Sequence, residues 1–368
     1  MLEAICEAQF ELIELEIFDD SPFFPLTLTV GDFNNDNMTD IVFSFLMNTD
    51  IYLSPGNGDG TFAAVITSST IYFGEFGNML VHDINNDNNF DIAFIDNIYY
   101  YVGIILGNGD GTFESRPVYL EYINLRLNSI GFADFNSDTY LDMARINYQS
   151  NEIYLYTGYG NGSFSLEQTL SLDPIGMIAY IYAADLNNDG YFDISFTYTM
   201  SREVGSYLGY GNGSFQAEIT SFTGGGLDPY KMSFADFNND TLLDIIISYT
   251  PSEFGIMIGF GNGSFGERKL LSINQGDTLI QPYVHDFNND GYSDIIFTDV
   301  ILFGISILYG KDNGDFNAPT TIISEVNSLT DVVGIADFNN DGYSDIAFIN
   351  AIPSYIKILL NKANCNST

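Results

Sequence analysis

The nine residues Asp337-Phe338-Asn339-Asn340-Asp341-Gly342-Tyr343-Ser344-Asp345 carry the pattern that decides the fold, Asp-x-Asn-x-Asp-x-x-x-Asp. The pattern occurs seven times in 368 residues, and each copy begins 50 or 51 residues after the previous one. The copies begin at Asp32, Asp83, Asp134, Asp185, Asp236, Asp286 and Asp337. Spacing this regular indicates a repeat architecture in which each unit is one supersecondary element.

Each unit consists of short apolar segments separated by turn residues. One apolar stretch precedes the acidic loop, and a run of β-forming residues such as Ile41-Val42-Phe43 follows it. A third segment ends in a turn such as Gly160-Asn161-Gly162, and a fourth leads to the next unit. Short apolar runs between Gly, Asn and Asp turns are typical of strands in hairpins. The pattern therefore predicts an all-β fold, a seven-bladed β-propeller of four-stranded antiparallel blades.

The two ends of the chain indicate how the ring closes. Only two strand segments follow the last acidic loop, so the seventh unit lacks its fourth strand. Phe10 precedes Asp32 by 22 residues, close to the 21 residues between the matching Phe and Asp in later units. We therefore predict that the N-terminal strand, from about Phe10 to Ile17, completes blade seven and removes an open sheet edge.

This reading makes residues 1–368 a single propeller domain. Residues 1–20 supply the outer strand of blade seven, and residues 327–368 supply its inner three strands. Blades one to six are predicted at about 21–72, 73–123, 124–174, 175–225, 226–275 and 276–326. Cys6 and Cys365 fall where a hairpin would otherwise join the two parts of blade seven, which predicts a disulfide and an oxidising compartment. The alternative is two unpaired thiols at the chain ends.

The acidic loops present hard oxygen donors at alternating positions. Carboxylates and amides of this kind suit calcium, which takes roughly six to eight oxygen ligands, whereas zinc favours His or Cys. Magnesium ranks second because it demands stricter geometry. Position seven is predicted to contribute its backbone carbonyl. The predicted metal ligands at positions one, three, five, seven and nine are Asp32, Asn34, Asp36, Met38, Asp40, Asp83, Asn85, Asp87, Asn89, Asp91, Asp134, Asn136, Asp138, Tyr140, Asp142, Asp185, Asn187, Asp189, Tyr191, Asp193, Asp236, Asn238, Asp240, Leu242, Asp244, Asp286, Asn288, Asp290, Tyr292, Asp294, Asp337, Asn339, Asp341, Tyr343 and Asp345.

Two other interpretations of the loop were weighed. An EF-hand needs Gly at position six and Glu at position twelve, but position six is Gly only in Gly190, Gly291 and Gly342, and position twelve is never Glu. A turn whose Asp and Asn side chains hydrogen-bond their own backbone is the remaining alternative. Seven uncompensated clusters of three Asp would repel strongly, which favours up to seven structural calcium ions.

The seven loops, each paired with a Gly-Asn-Gly-x-Phe-like turn, resemble FG-GAP/VCBS repeats. The loops at Asp286–Asp294 and Asp337–Asp345 are the fullest copies. The resemblance covers almost the whole chain and implies the seven-bladed propeller of integrin α heads, with calcium in the hairpin between the first and second strands. All seven units carry the loop here, and no integrin-like leg, transmembrane helix or cytoplasmic tail is visible, so integrin signalling is not implied.

Composition excludes several partners. The chain has 49 Asp+Glu against 10 Lys+Arg and a formal net charge of −39, which argues against binding to nucleic acid or to anionic membranes. Its apolar stretches are shorter than a membrane span, so no membrane insertion is expected. No signal peptide is visible. The resemblance and the two cysteines nevertheless predict an extracellular or secreted protein, and we expect a monomer.

Catalytic signatures are scarce. His82 and His285 share one repeat position and are expected to pack on inner strands rather than act as bases, and no hydrolase, metalloprotease or phosphate-loop motif occurs. We therefore expect a non-catalytic binding or adhesion module. The alternatives are a calcium-stabilised lectin and, less favoured, an enzyme acting on polysaccharides.

The resemblance places the ligand, a protein or a glycan, on the face opposite the calcium loops. Aromatic residues in the loops of that face suit sugar stacking or protein contacts, although packing between blades is an equal alternative for each. The segments are Tyr72-Phe73, Tyr99-Tyr100-Tyr101, Tyr148-Gln149, Thr197-Tyr198, Asp228-Pro229-Tyr230, Tyr249 and Phe254.

Overall fold

The protein is a seven-bladed β-propeller in a computed structural model. The structure describes residues 9–15, 25–46, 48–71, 74, 76–96, 98–123, 129–147, 150–172, 177–250, 253–271, 273, 281–299, 304–324, 329–350 and 355–362. These residues form 28 strands in seven four-stranded antiparallel sheets and contain no helix. The predicted fold class is confirmed. None of the described residues forms a helix with the length and apolarity that crossing a membrane requires.

The first three blades follow one another along the chain. Blade 1 contains β2 (Pro25–Gly31), β3 (Asp40–Phe45), β4 (Asp50–Ser54) and β5 (Ile66–Ser69). Blade 2 contains β6 (Gly77–His82), β7 (Asp91–Asp96), β8 (Tyr101–Ile105) and β9 (Tyr119–Tyr122). Blade 3 contains β10 (Ile130–Ala133), β11 (Asp142–Asn147), β12 (Glu152–Gly158) and β13 (Phe164–Ser171).

The next three blades repeat this order. Blade 4 contains β14 (Ile178–Ala184), β15 (Asp193–Tyr198), β16 (Glu203–Tyr207) and β17 (Ile219–Phe222). Blade 5 contains β18 (Asp228–Ala235), β19 (Asp244–Thr250), β20 (Glu253–Met257) and β21 (Lys269–Leu271). Blade 6 contains β22 (Tyr283–His285), β23 (Asp294–Asp299), β24 (Gly304–Leu308) and β25 (Thr320–Ile323).

Blade 7 is built from both ends of the chain. It contains β26 (Leu329–Ala336), β27 (Asp345–Asn350), β28 (Tyr355–Asn361) and the N-terminal β1 (Phe10–Leu15). Strand β1 pairs antiparallel with β28, with Phe10 opposite Asn361 and Leu15 opposite Ile356. The predicted closure by the N-terminal strand is thus confirmed. Cys6 and Cys365 lie outside the described residues, so their disulfide stays a prediction.

The core lies between the faces of neighbouring blades. The second strands β3, β7, β15 and β27 are buried along their whole length, because each sheet is covered on both faces. At the closure, Phe43 of blade 1 and Ile358 of blade 7 belong to one buried cluster. A fully buried Phe contributes about 2–3 kcal/mol relative to an exposed one. Ring closure is therefore stabilised by apolar packing as well as by the β1–β28 ladder.

Candidate functional site

The first acidic loop folds around hydrogen bonds from its own backbone. Asp32 accepts the N–H groups of Asp36 at 3.1 Å and of Asn37 at 2.9 Å. The side-chain oxygen of Asn34 also accepts the Asp36 N–H, at 3.0 Å, and Asp36 Oδ1 accepts the Met38 N–H at 2.8 Å. The Asn34 Nδ2 group donates to Asp36 Oδ2 at 2.9 Å. Positions one, three and five of the loop are therefore brought together by local contacts.

The same network recurs in all seven loops. In the last copy, Asp337 accepts the N–H groups of Asp341 and Gly342, and Asn339 accepts the Asp341 N–H. Loop positions four and six adopt left-handed backbone angles throughout, as in Asn340 with φ of 56° and Gly342 with φ of 87°. Asn and Gly tolerate this region better than other residues, which explains their abundance in the repeat.

The Asp at position nine has a different environment from the other acidic positions. Asp40 is fully buried, and its two oxygens accept the N–H groups of Phe33 at 3.0 Å and Gly56 at 2.9 Å. The equivalent Asp of every other blade bonds backbone N–H groups from the same two places. This carboxylate therefore ties the loop to the end of the third strand.

Burial raises the pKa of these seven carboxyls. The pKa of Asp40 is about 6, since burial outweighs the two backbone hydrogen bonds and the charges of Asp36 and Asp32 add to it. The pKa of Asp345 rises to about 7 for the same reasons. Each loop therefore holds a buried carboxylate beside uncompensated negative charge, which a bound cation would offset.

The donors of the loop fit calcium chemically, but the conformation seen here is the hydrogen-bonded turn. Within the part of the chain that the structure describes, no three acidic or His/Cys side chains are arranged as a metal cluster. The side-chain oxygens of positions one, three and five accept loop N–H groups, yet a carboxylate oxygen has more than one lone pair to offer. The calcium assignment of all 35 ligands stays a prediction.

Neighbouring loops are joined by Asn at position four, a residue that the metal pattern does not include. Asn86 donates to the Thr139 carbonyl at 3.1 Å, and Asn188 donates to the Thr241 carbonyl at 2.8 Å. At the closure, Asn340 of blade 7 donates to the Gly58 carbonyl of blade 1 at 3.3 Å. The available signal was the recurrence of Asn at this position in six of the seven copies. Ser137 is the exception.

The described aromatic residues predicted to form a ligand face differ in exposure, and Tyr100, Tyr101 and Tyr230 are half-buried. Tyr99 is 55% exposed, but Tyr198, Tyr249 and Phe254 are each 1% exposed. For these three residues the predicted exposure is wrong, and the alternative of packing between blades is correct. They lie on second and third strands whose two faces are covered by neighbouring blades. Tyr72-Phe73 and Tyr148-Gln149 lie outside the described residues.

The two histidines lie beside aromatic rings. The His82 ring is 5.6 Å from that of Phe132, and burial lowers the pKa of this imidazole. The His285 ring is 5.5 Å from that of Phe287, and His285 is exposed. His82 therefore packs as expected, and the contact with Phe287 gives His285 a packing role at the surface.

An axial cavity of about 450 Å³ lies where the first strands of all seven blades converge. Its polar lining includes Asn78, Tyr180, Lys231 and Gln281, and Lys231 is the only charged residue among the described residues that line it. The Lys231 ammonium lies 5.7 Å from the centroid of the Tyr180 ring. The lining runs from Asn78 near the start of β6 to Val30 and Ile335 near the ends of β2 and β26, so the cavity extends along the first strands.

A second cavity of about 550 Å³ lies between blades 3 and 4, at the acidic-loop end. It is termed the 3–4 groove below. Its lining includes Asn136 of an acidic loop, Tyr159 and Glu167 of blade 3, and Asn212 of blade 4. Sequence reasoning did not identify it, because its two walls come from separate repeats.

Comparisons with known proteins agree with this architecture. The family described as FG-GAP-like repeat matches residues 83–145 and 134–196. A solved structure of an Agrocybe aegerita lectin, described for its specific recognition of non-reducing terminal N-acetylglucosamine, is similar with a TM-score of 0.60 at 17% identity, covering 97% of this chain and 87% of that chain. Its low identity makes it evidence of fold alone.

Two structures of BBS1N in complex with ARL6DN are also similar. The mercury-soaked one has a TM-score of 0.57 at 11% identity and covers 96% of this chain and 98% of that chain. The lead-soaked one has a TM-score of 0.59 at 10% identity and covers 98% and 99%. No curated protein sequence matches the chain significantly.

Proposed function

We propose that this chain, which is an FG-GAP repeat β-propeller, acts as a non-catalytic binding module of the extracellular space, stabilised by calcium. The ligand is a protein or a glycan, held at the end remote from the acidic loops. The propeller itself is monomeric, and its negative charge keeps it from nucleic acid and membranes. The observation that carries the proposal is the axial cavity.

The axial cavity has the composition of a recognition site. Concave sites with apolar walls and a few convergent polar groups are the usual places for ligands in folded proteins. Leu28, Met79 and Ile130 supply apolar surface here, while Gln281 and Lys231 supply polar groups. The Gln281 Nε2 group donates to the Ser233 hydroxyl at 3.1 Å, which fixes the orientation of its amide. A cationic donor in a lining whose other described residues are uncharged gives this cavity a preference for ligands with acceptor groups.

The role proposed for calcium is structural rather than catalytic. Up to seven ions would bind the seven acidic loops and compensate the charge of Asp32, Asp36 and their equivalents. The Asn at position four of five loops also bonds the next blade, so the ions would stiffen contacts between blades as well as the loops themselves. Neither histidine lines the axial cavity or the 3–4 groove, which supports a binding role over acid–base chemistry in those two places.

A ligand screen with matched variants tests the proposal. Calcium-loaded protein is screened against a glycan array and against a pull-down from extracellular fluid, and each hit is repeated with Lys231→Met and Lys311→Met. Lys311 is an exposed lysine of blade 6 far from the axis. The affinity for the hit should fall roughly tenfold with Lys231→Met and remain unchanged with Lys311→Met. If the folded Lys231→Met variant binds the hit with unchanged affinity, the axial site is contradicted. Turnover of a polysaccharide would contradict the non-catalytic role.

A lectin is the second candidate. It is favoured by the similar fold of a protein whose description is that of a lectin recognising terminal N-acetylglucosamine. The exposed ring of Tyr159 in blade 3 adds a surface on which a sugar ring can stack. On the glycan array this form of the proposal requires binding of at least one sugar class.

A further inference from the structure

The 3–4 groove exists because the outer strand of blade 3 differs from those of the other blades. Strand β13 has eight residues, whereas β5, β9, β17, β21 and β25 have three or four. A register shift between Leu155 and Tyr156 leaves Glu167 as an extra residue opposite β12. A bulge of this kind re-aims side chains and is common next to binding sites. Glu167 is exposed as a result.

The wall contributed by blade 4 is held firmly in place. Gly213 donates its N–H to the carbonyl of Phe135 in the acidic loop of blade 3, at 2.9 Å. The Asn212 side-chain oxygen accepts the Ser214 N–H at 3.0 Å and the Ser214 hydroxyl at 2.6 Å. Among the described residues, the Asn212 Nδ2 group makes no protein hydrogen bond. The groove thus presents a fixed amide donor without a rearrangement of its walls.

The wall contributed by blade 3 contains an exposed aromatic ring. Tyr159 is 55% exposed, and its hydroxyl shares a hydrogen bond of 2.6 Å with the Ser165 hydroxyl. Behind it, Tyr156 is buried and donates its hydroxyl to Glu121 at 2.6 Å, which fixes the apolar floor. A tethered aromatic ring above a rigid floor offers a flat apolar surface at low entropic cost.

The charge of the groove selects the class of ligand. Its lining includes the carboxylates of Glu167 and Asp142, and no Lys, Arg or His of the described chain lines it. An anionic ligand would be repelled, whereas hydroxyl groups can donate to the carboxylate of Glu167 and to the amide oxygen of Gln168. A volume of about 550 Å³ lies within the usual range for small-molecule sites.

We propose that the 3–4 groove binds a neutral hexose or N-acetylhexosamine, with Tyr159 stacking on the sugar ring and Glu167 accepting its hydroxyl groups. The proposal rests on the glycan-binding form of the proposed function. It adds a site at the acidic-loop end of the propeller, separate from the axial cavity. Asn212 and Gln168 supply the further polar contacts that orient the sugar.

The test uses the full chain made in bacteria, which leaves the sequon Asn212-Gly213-Ser214 unmodified. Methyl glycosides of neutral hexoses and N-acetylhexosamines are titrated by calorimetry and saturation-transfer NMR, with sialylated and sulfated sugars as charged comparisons. At least one neutral glycoside should bind, and Tyr159→Ala and Glu167→Gln should each weaken it roughly tenfold. The charged sugars should bind more weakly than their neutral counterparts.

Two control variants isolate the groove. Tyr210 occupies the same repeat position in blade 4 and is also 55% exposed, and Glu267 is an exposed carboxylate of blade 5. Neither lines the 3–4 groove, so Tyr210→Ala and Glu267→Gln should leave binding unchanged. Circular dichroism confirms that all four variants are folded.

Three outcomes overturn the groove proposal. These are the absence of neutral-sugar binding at roughly 10 mM, equal losses in groove and control variants, and stronger binding of acidic sugars. Sugar binding that is lost with Lys231→Met but not with Tyr159→Ala would overturn the groove and leave the axial binding function standing. If no glycan binds but a protein ligand binds at the axial cavity, the groove proposal is also overturned and the axial binding function still stands.

Discussion

Threonine occupies a left-handed backbone position in two acidic loops, where the other loops have Asn or Gly. Thr139 has φ of 75° and Thr241 has φ of 71°, against 87° for Gly291 and 65° for Asn37. A β-branched side chain is disfavoured there, because its two Cβ substituents crowd the backbone. These two loops therefore store local strain that the others avoid.

Replacing Thr241 by Asn should remove this strain. We expect Thr241→Asn to raise the free energy of unfolding by about 1 kcal/mol, measured by urea denaturation. The Thr241 carbonyl still accepts the Asn188 side chain, because only the side chain at position 241 changes. Thr220→Asn, on the exposed face of β17, is the control and should give no gain, since Asn is disfavoured in strands. Equal gains at both sites would contradict the strain argument.

The two classes of Asp in a loop should respond differently to mutation. Asp193 is buried and accepts the N–H groups of Leu186 at 2.8 Å and Gly209 at 2.7 Å, so Asp193→Ala leaves both unpaired. We expect a loss of about 2–4 kcal/mol in the free energy of unfolding, with or without EGTA. Asp189 lies at exposed loop position five. In EGTA, Asp189→Ala should lower the free energy of unfolding by less than Asp193→Ala does, and the two losses should become similar only in calcium. Equal losses in EGTA would show that the classes do not differ.

At the scale of elements, the acidic loops form a connected belt rather than seven separate turns. Asn188 bonds the next loop at 2.8 Å and Asn289 bonds the next at 3.0 Å. In blade 3 the equivalent residue is Ser137, whose side chain is shorter. The belt is therefore interrupted between blades 3 and 4, which form the 3–4 groove. Among the described residues, Asn239 of blade 5 likewise makes no bond to blade 6.

Completing or breaking the belt should change stability in opposite directions. Ser137→Asn places an amide where it can reach the Gly190 carbonyl of blade 4, by analogy with the other loops, and also suits the φ of 59°. We expect it to raise the free energy of unfolding by about 1 kcal/mol and Asn188→Ala to lower it by a similar amount. Calorimetric melting measures both. A shift in the same direction for the two variants would refute a role for the belt.

Strand β1 should be needed for a closed ring. A deletion of residues 1–15 exposes the edge of β28 and removes the contacts of Ile13 with the core and of Glu14 with Lys357 at 2.8 Å. We expect a fall of at least about 10 °C in melting temperature and association through the free edge, seen by size-exclusion chromatography.

The deletion of residues 1–8 is the matched control for this experiment. It removes Cys6 but keeps all of β1, so under reducing conditions it should melt like the full chain. If both deletions behaved alike, the strand would not be what closes the ring.

For the whole molecule, the acidic loops account for much of the charge. They hold 21 of the 49 acidic residues, and seven calcium ions would change the formal charge from −39 to −25. Removal of the ions should restore repulsion among the loops and, through the belt, weaken all blades together. The effect of chelation should therefore appear in global unfolding.

Metal analysis and melting test this expectation. Protein purified in calcium should contain close to seven ions by mass spectrometry, and EGTA should lower its melting temperature by more than about 10 °C. Magnesium should restore less of the loss than calcium, because its geometry is stricter. An unchanged melting temperature in EGTA would contradict a structural role for the metal.

The sequence predicted the features that recur within each repeat, but it did not predict the contacts between neighbouring repeats. The spacing of Asp32, Asp83 and their successors predicted seven blades, and the position of Phe10 predicted the closing strand. Exposure of Tyr198 and Tyr249 was not predicted correctly, because burial depends on the neighbouring blade. The Asn86 and Asn188 bonds were missed for the same reason, since their partners lie 53 residues away.

The sequence by itself determined the number of blades, the order of their strands and the network within each acidic loop. All of these depend on contacts within one repeat, where residue type and spacing are sufficient. Only the tertiary structure decided which aromatic rings are exposed, how the loops are linked, and where the axial cavity and the 3–4 groove lie. Each of these is formed by side chains from different blades, and their burial and contacts exist only once the ring has closed.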